Sequence, residues 1–205
     1  MMIEIIKQGG IVIYPLLAAS IIALTIILDR FFYFWGIRRE VPEKIMQDVK
    51  LFLKSGKIRE ASSSLRYARN PVHRILKAGI MNWEKGSGEM ERVMDEIKML
   101  EFPRMERHLA MLNFIGKMSP TLGLLGTVTG MIKTFHFLSL NLESQQLAQG
   151  ISEALITTAF GLTISIPTLA AYYYFFNKLE DIIKHGEKRE MELLHLCVKM
   201  GENNA

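Results

Sequence analysis

The chain has 205 residues, 49% of them hydrophobic and 22% charged, with a net charge of +4 and a mean hydropathy of +0.16. Strongly apolar segments therefore alternate with strongly charged ones, and so small a net charge, with no basic run interleaved with aromatics, argues against a nucleic-acid partner. The single cysteine, Cys197, excludes an intrachain disulfide and leaves no cysteine cluster for a metal, and nothing in the chain calls for a cofactor.

The first apolar run, IVIYPLLAASIIALTIIL, covers residues 11–28. As a helix it is about 27 Å long, the thickness of a hydrocarbon core. The aromatic cluster FFYFWGI follows Asp29-Arg30, as at a headgroup boundary. A signal peptide is the competing reading, since LAAS resembles a cleavage site, but the apolar stretch continues past it.

Residues 38–108 read as helical throughout. VPEKIMQDVKLFLKSG has apolar Ile45, Val49, Phe52 and Leu53 at helical spacing and stops at Gly56. IREASSSLRYARNP is a short helix ended before Pro71, and VHRILKAGIMNWEKGSG another, ended at a glycine turn. From Glu89 onward no glycine interrupts the pattern, so this helix is expected to run into the second apolar stretch, with a kink at Pro103.

That second stretch covers residues 109–140 and the third covers 154–176, the latter without a charge. The third is expected to continue as a helix through the charged tail, with Leu179, Ile182, Ile183, Met191, Leu194 and Val198 as its apolar stripe. All three stretches are long enough to span a membrane. Residues 38–108 hold 16 Lys and Arg, the connection 141–152 holds none, and the tail holds five. The positive-inside rule then places 38–108 and 177–205 in the cytoplasm, and the N-terminus and the 141–152 loop outside. The expected organisation is an N-terminal outer segment with the first span (1–37), a cytoplasmic helical region (38–108), a second span (109–140), an outer loop (141–152), a third span (153–176) and a cytoplasmic helix (177–205). This is an all-α membrane protein with three transmembrane helices and long cytoplasmic extensions.

The second and third spans carry unusual side chains. Gly123, Thr127, Gly130 and Thr134 share one helix face, as do Ala154, Thr158, Gly161, Ser165 and Thr168 on the other span. One explanation is close packing: small residues let backbones approach, Gly126-x-x-x-Gly130 is a packing motif, and threonines can satisfy their own carbonyls. Pro120 and Pro167 would be kinks relieved by neighbouring helices. The other explanation is that the two faces line a narrow, partly wet path. The span interiors hold no Asp or Glu, since Glu153 stands at the start of the third span and Asp29 at the end of the first. A proton path through these spans would therefore take its titratable carrier from another chain. Lys133 either snorkels or pairs with Glu153 across the short loop.

GLLGTVTGMIKTF with its preceding proline, followed by GISEALITTAFGLTISIP, resembles the paired signature of the TolQ/ExbB/MotA proton-channel family. GGIVIYPLL, DRFFYF and ARNPVHRILKAGI are similar to the TolQ/ExbB branch. The resemblance implies a homopentameric ring in the bacterial inner membrane whose second and third spans enclose two copies of a small single-span ExbD/TolR-type partner. A membrane aspartate on that partner would carry the proton. Thr127 and Thr158 would face it, and Glu153, the glutamate of the EAL motif, would belong to the proton pathway or the pore lining. Gly130, Thr134, Gly161 and Ser165 would line the same pore, with Gly123, Gly126, Pro120 and Pro167 packing the helices. Ser119 stands where alanine is common in the family, and Lys133 where members vary. A membrane scaffold using its glycine faces for assembly alone is the alternative. No GxxxxGK loop, HExxH motif or nucleophile elbow is present, so no enzymatic activity is expected.

Overall fold

A computed structural model describes residues 10–37, 43–65, 70–139 and 144–203. Among these residues every regular element is helical: α1 (Ile13–Trp35), α2 (Glu43–Lys54), α3 (Ile58–Ser64), α4 (Pro71–Met81), a 3-10 turn (Trp83–Lys85), α5 (Ser87–Glu106), α6 (Leu109–Ser139) and α7 (Ser144–Asn203). The chain divides into two compact units, Met1–Phe31 with His108–Tyr174 and Phe32–Arg107 with Phe175–Ala205.

The first unit holds most of α1, all of α6 and the first half of α7, and it buries several hydroxyls while leaving many large apolar side chains exposed. Ser119, Thr134, Thr157, Ser165 and Thr168 are buried, while Leu124, Leu125, Val128, Ile132, Phe135, Leu155, Leu162 and Ile166 are exposed. Water would not tolerate so many large apolar side chains on one surface; a bilayer or further protein would. Two helices, α1 and α7, are long and apolar enough to cross a membrane. The 31-residue α6 is also long enough, but its glycines, hydroxyls and two lysines lower its hydropathy.

The second unit has an ordinary soluble core. Met46, Val49 and Leu53 of α2, Val72, Ile75, Leu76 and Ile80 of α4, Met90 and Met94 of α5, and Leu179, Ile182 and Leu193 of α7 are buried. Helix α4 starts where it does because Asn70 accepts a hydrogen bond from the Val72 N–H at 3.0 Å and Pro71 takes the first helical position. It packs against α5, with Met94 filling the space that a side chain on Gly79 would need. Gly56, at φ +70°, ends α2 in a left-handed conformation that a side chain would oppose.

Three expectations need correction. The helix begun at Glu89 does not run on into the second apolar stretch. Pro103 lies inside α5, and the break comes at Arg107, which is extended, and His108, at φ +66°. The His108 carbonyl then accepts from the Leu112 N–H and starts α6. The expected loop 141–152 is helical from Ser144, because Gln145, Gln146, Leu147, Ala148 and Gln149 are good helix formers and Gly150 is buried against Thr134. Of the stripe expected on the charged part of α7, Leu179 and Ile182 are buried, but Met191 and Val198 are exposed, because the buried face there runs through Leu193 and Cys197. In contrast, α7 continues unbroken past Asn177 and the short helix after Gly56 ends at Ser64, before Pro71, both as expected.

Electrostatics in the second unit centre on α7. The Lys98 ammonium is divided between Asp95 at 2.8 Å and Glu190 at 2.7 Å. Burial pushes the Glu190 carboxyl above its ordinary range; Lys98 offsets this only in part, while Asp95 and Glu187 add to it. Burial also opposes the charge on Lys98, but its two carboxylates outweigh that and raise it. A carboxyl held above its unfolded value costs stability at neutral pH; the cost starts to shrink as pH falls through the folded value and is gone below the unfolded one. Glu190→Gln is therefore expected to raise Tm at about pH 7.5, with the difference from wild type closing towards about pH 4, below the ordinary glutamate range. Thermal melts of the full-length protein at both pH values provide the check.

Candidate functional site

The small-residue faces of α6 and α7 meet each other within one chain. A Cβ on Gly161 would lie 2.6 Å from the Ser119 carbonyl oxygen and 3.1 Å from the Gly123 Cα. A Cβ on Gly123 would meet the Thr157 carbonyl oxygen at 3.0 Å and the Thr158 Cα at 3.1 Å. Gly130 sits equally close to Ala154 and Gly150, and Gly126 leaves room for the Thr157 side chain. At Gly123 and Gly161 backbone lies on both sides of the contact, so neither helix can yield there to a larger residue.

This approach brings Thr127 and Thr158, both half-buried, into direct contact. Their hydroxyls share a hydrogen bond. The Thr127 Oγ1 also reaches the Ala154 carbonyl across the seam at 3.2 Å, and the Thr158 Oγ1 reaches the Gly123 carbonyl at 3.1 Å. Each hydroxyl has one proton to donate and two lone pairs to accept with. Between them they hold two protons and face each other and two carbonyls, so the donor order can run in either direction. Rotating both hydroxyls reverses it. Such a pair can accept from a protonated acid or donate to an ionised one, but as two neutral alcohols it cannot store a proton itself.

A backbone defect is repaired nearby. Pro120 has no N–H, so the Gly116 carbonyl one turn earlier loses its helical donor. The Ser165 hydroxyl donates to that carbonyl from α7 at 2.6 Å, and Ser165 is 4% exposed. The other hydroxyls stay on their own helices: Ser119 donates to the Ile115 carbonyl, Thr134 to that of Gly130 and Thr168 to that of Ile164. Pro167 lies on the exposed side of α7 and takes no part in the seam, being two residues, and so just over half a turn, from Ser165.

Glu153 is in reach of Lys133, with Nζ 2.6 Å from Oε1. Of the two readings of that lysine, the structure shows the pair. Apart from Glu153, Asp29 supplies the acid among the described residues of the first unit, and it is bonded to Arg30.

Three participants were not singled out from the sequence. Thr157, fully buried against Gly126, differs from its neighbour Thr158 only by one helical step. Gly116 was legible in principle, as the residue four before a mid-helix proline. Gly150 packs on Thr134 from the segment expected as a loop.

The MotA/TolQ/ExbB proton channel family model matches residues 67–188, which include the whole seam. A biopolymer transport protein ExbB homolog of Methanothermobacter thermautotrophicus is 30% identical over 181 residues, 88% of this chain and 65% of that protein. The biopolymer transport protein ExbB of Pseudomonas putida is 30% identical over 176 residues, covering 80% of this chain and 52% of that one. The Tol-Pal system protein TolQ of Pseudomonas aeruginosa is 39% identical over 85 residues, 40% of this chain and 37% of that protein. The chain thus spans two thirds or less of the length of each of these relatives.

Two substitutions test the seam. Ser165→Ala leaves the Gly116 carbonyl without a donor and is expected to cost about 1–3 kcal/mol. Gly161→Val drives a side chain into the Ser119 carbonyl and is expected to cost more, with loss of the folded α6–α7 pair. Melting of each full-length variant in mild detergent measures both; equal, unperturbed Tm values would contradict the seam.

Proposed function

Because the chain belongs to the MotA/TolQ/ExbB proton channel family, we propose that it is the ring-forming subunit of a proton-driven motor in the inner membrane. In this reading α1, α6 and the apolar part of α7 are three spans, with the N-terminus periplasmic and the charged regions cytoplasmic. Five copies form the ring. It encloses two copies of a small single-span ExbD/TolR-type chain whose membrane aspartate carries the proton, and the subunit performs no catalysis of its own. Work is delivered outside the membrane through that partner, for import or for envelope maintenance.

The observation that carries this reading is the Thr127–Thr158 hydroxyl pair. It is half-buried and reversible in its donor order, and it lies within a unit that offers no free carboxylate among its described residues. A carboxylate brought to it is stabilised by the donated hydrogen bonds, and the protonated acid by the lone pairs. Alternation between those two states couples proton passage to movement of the partner. Each proton crossing 100 mV releases about 2.3 kcal/mol, several times thermal energy. The exposed Leu124, Leu125, Val128, Leu155 and Leu162 supply the apolar surface that lipid or neighbouring copies would cover.

The scaffold reading draws on Ser119, Thr134, Ser165 and Thr168, whose hydroxyls all find acceptors inside the chain. Valine at 127 and 158 separates the two. Thr127→Val and Thr158→Val are nearly isosteric, so the ring is expected to assemble in both. Proton flux through the complex in liposomes is expected to fall by about 10- to 100-fold, the value of a hydrogen bond to a charged group. Undiminished flux, or partner-dependent work, in the double variant would leave the scaffold.

A further inference from the structure

The Lys133–Glu153 pair is used neither by the glycine seam nor by the hydroxyl relay. Lys133 stands six residues beyond Thr127 on α6 and Glu153 five residues before Thr158 on α7, so the pair is displaced from the hydroxyls by about 8–9 Å along the helices. Its two members are unequally covered: the Glu153 side chain is 14% exposed and that of Lys133 is 48% exposed. A third segment takes part. Gly10, just before α1, lies so close that a Cβ there would fall on the Glu153 carboxylate, and its φ of +61° independently favours glycine. One carboxylate is thus seated between the segment leading into α1, a lysine of α6 and its own helix.

We propose that Lys133 and Gly10 are positioning residues for Glu153, which acts as a fixed charged fastener tying the approach to α1 onto α6 and α7, and not as a proton carrier. A mostly covered carboxylate is costly unless its charge is matched, whereas a half-exposed lysine near the end of a span that loses its partner can snorkel to the interface. The two single substitutions must therefore differ. Removing the lysine strands a covered charge; removing the glutamate's charge strands nothing. A proton carrier would show the reverse order. The fastener goes beyond the motor reading, because it operates whether or not protons pass.

The experiment uses the full-length protein with its co-purified chains, in the variants Lys133→Met, Glu153→Gln and the double variant. Two readouts are taken: Tm in detergent, and proton uptake into liposomes under a potassium diffusion potential. Lys133→Met is expected to lower Tm and to cut flux by about tenfold. Glu153→Gln is expected to do less in both, and the double variant to return to within about twofold of wild-type flux with most of the Tm recovered. Gly10→Ala is expected to lower Tm, and by less when combined with Glu153→Ala. Flux abolished by Glu153→Gln at unchanged Tm, and not restored by Lys133→Met, would overturn the proposal while leaving the motor intact. Absence of flux in wild type would count against the motor alone. Tm would then decide the fastener: coupling between positions 133 and 153 supports it and additivity overturns it.

Discussion

At Gly123 and Gly161 two helix backbones approach until a single Cβ on either would collide with main-chain atoms of the other, and the polar groups of the first unit are arranged by that approach. A glycine pays for its place in a helix with conformational freedom, at about 1 kcal/mol relative to alanine. Six buried glycines on α6 and α7, Gly116, Gly123, Gly126, Gly130, Gly150 and Gly161, accept that cost in the same seam. What they gain is distance short enough for hydroxyls to reach across. The Thr158 hydroxyl finds the Gly123 carbonyl, Thr127 finds that of Ala154, and Ser165 replaces the donor that Pro120 lacks. Wider helix spacing would break these bonds together: the threonine hydroxyls would fall back on the Gly123 and Ala154 carbonyls of their own helices, but the Gly116 carbonyl would be left without a donor in an apolar setting.

The same seam separates two kinds of polar group. Ser165 and Thr134 serve the backbone and are closed off. Thr127 and Thr158 serve each other, are only half covered, and keep a lone pair or a proton to offer outward. Charge is kept away from them: Asp29, on α1, is bonded to Arg30, and Glu153 is paired with Lys133 beyond the hydroxyl pair along α6 and α7. A neutral, reversible hydrogen-bonding surface with its own acids already neutralised suits an acid arriving from elsewhere. Nothing nearby competes for the proton, and nothing repels the ionised form.

Much of this was legible in the sequence because its causes are local or periodic. Asn70-Pro71 marks the start of α4 through a cap and a missing N–H. The spacing of Gly123, Thr127, Gly130 and Thr134 marks one face because a helix turns 3.6 residues at a time. The break at Arg107–His108 carried no such sign, since neither residue is a glycine or proline and the left-handed conformation of His108 belongs to its surroundings. The seat of Glu153 at Gly10 was also hidden. A glycine before an apolar run has many uses, and only three-dimensional placement shows which side chain it makes room for. Whether the two small-residue faces lined a path or packed together was open from periodicity alone. The structure packs them against each other, and the half-buried threonines at their edge carry the functional reading.

The most direct measurement is the native mass of the full-length chain extracted mildly from membranes, together with whatever remains bound to it. Five copies with a smaller, substoichiometric single-span chain bearing a membrane aspartate is the predicted result. A monomer or dimer that reproducibly lacks such a chain would contradict it, and would return the threonine pair to the packing of two helices.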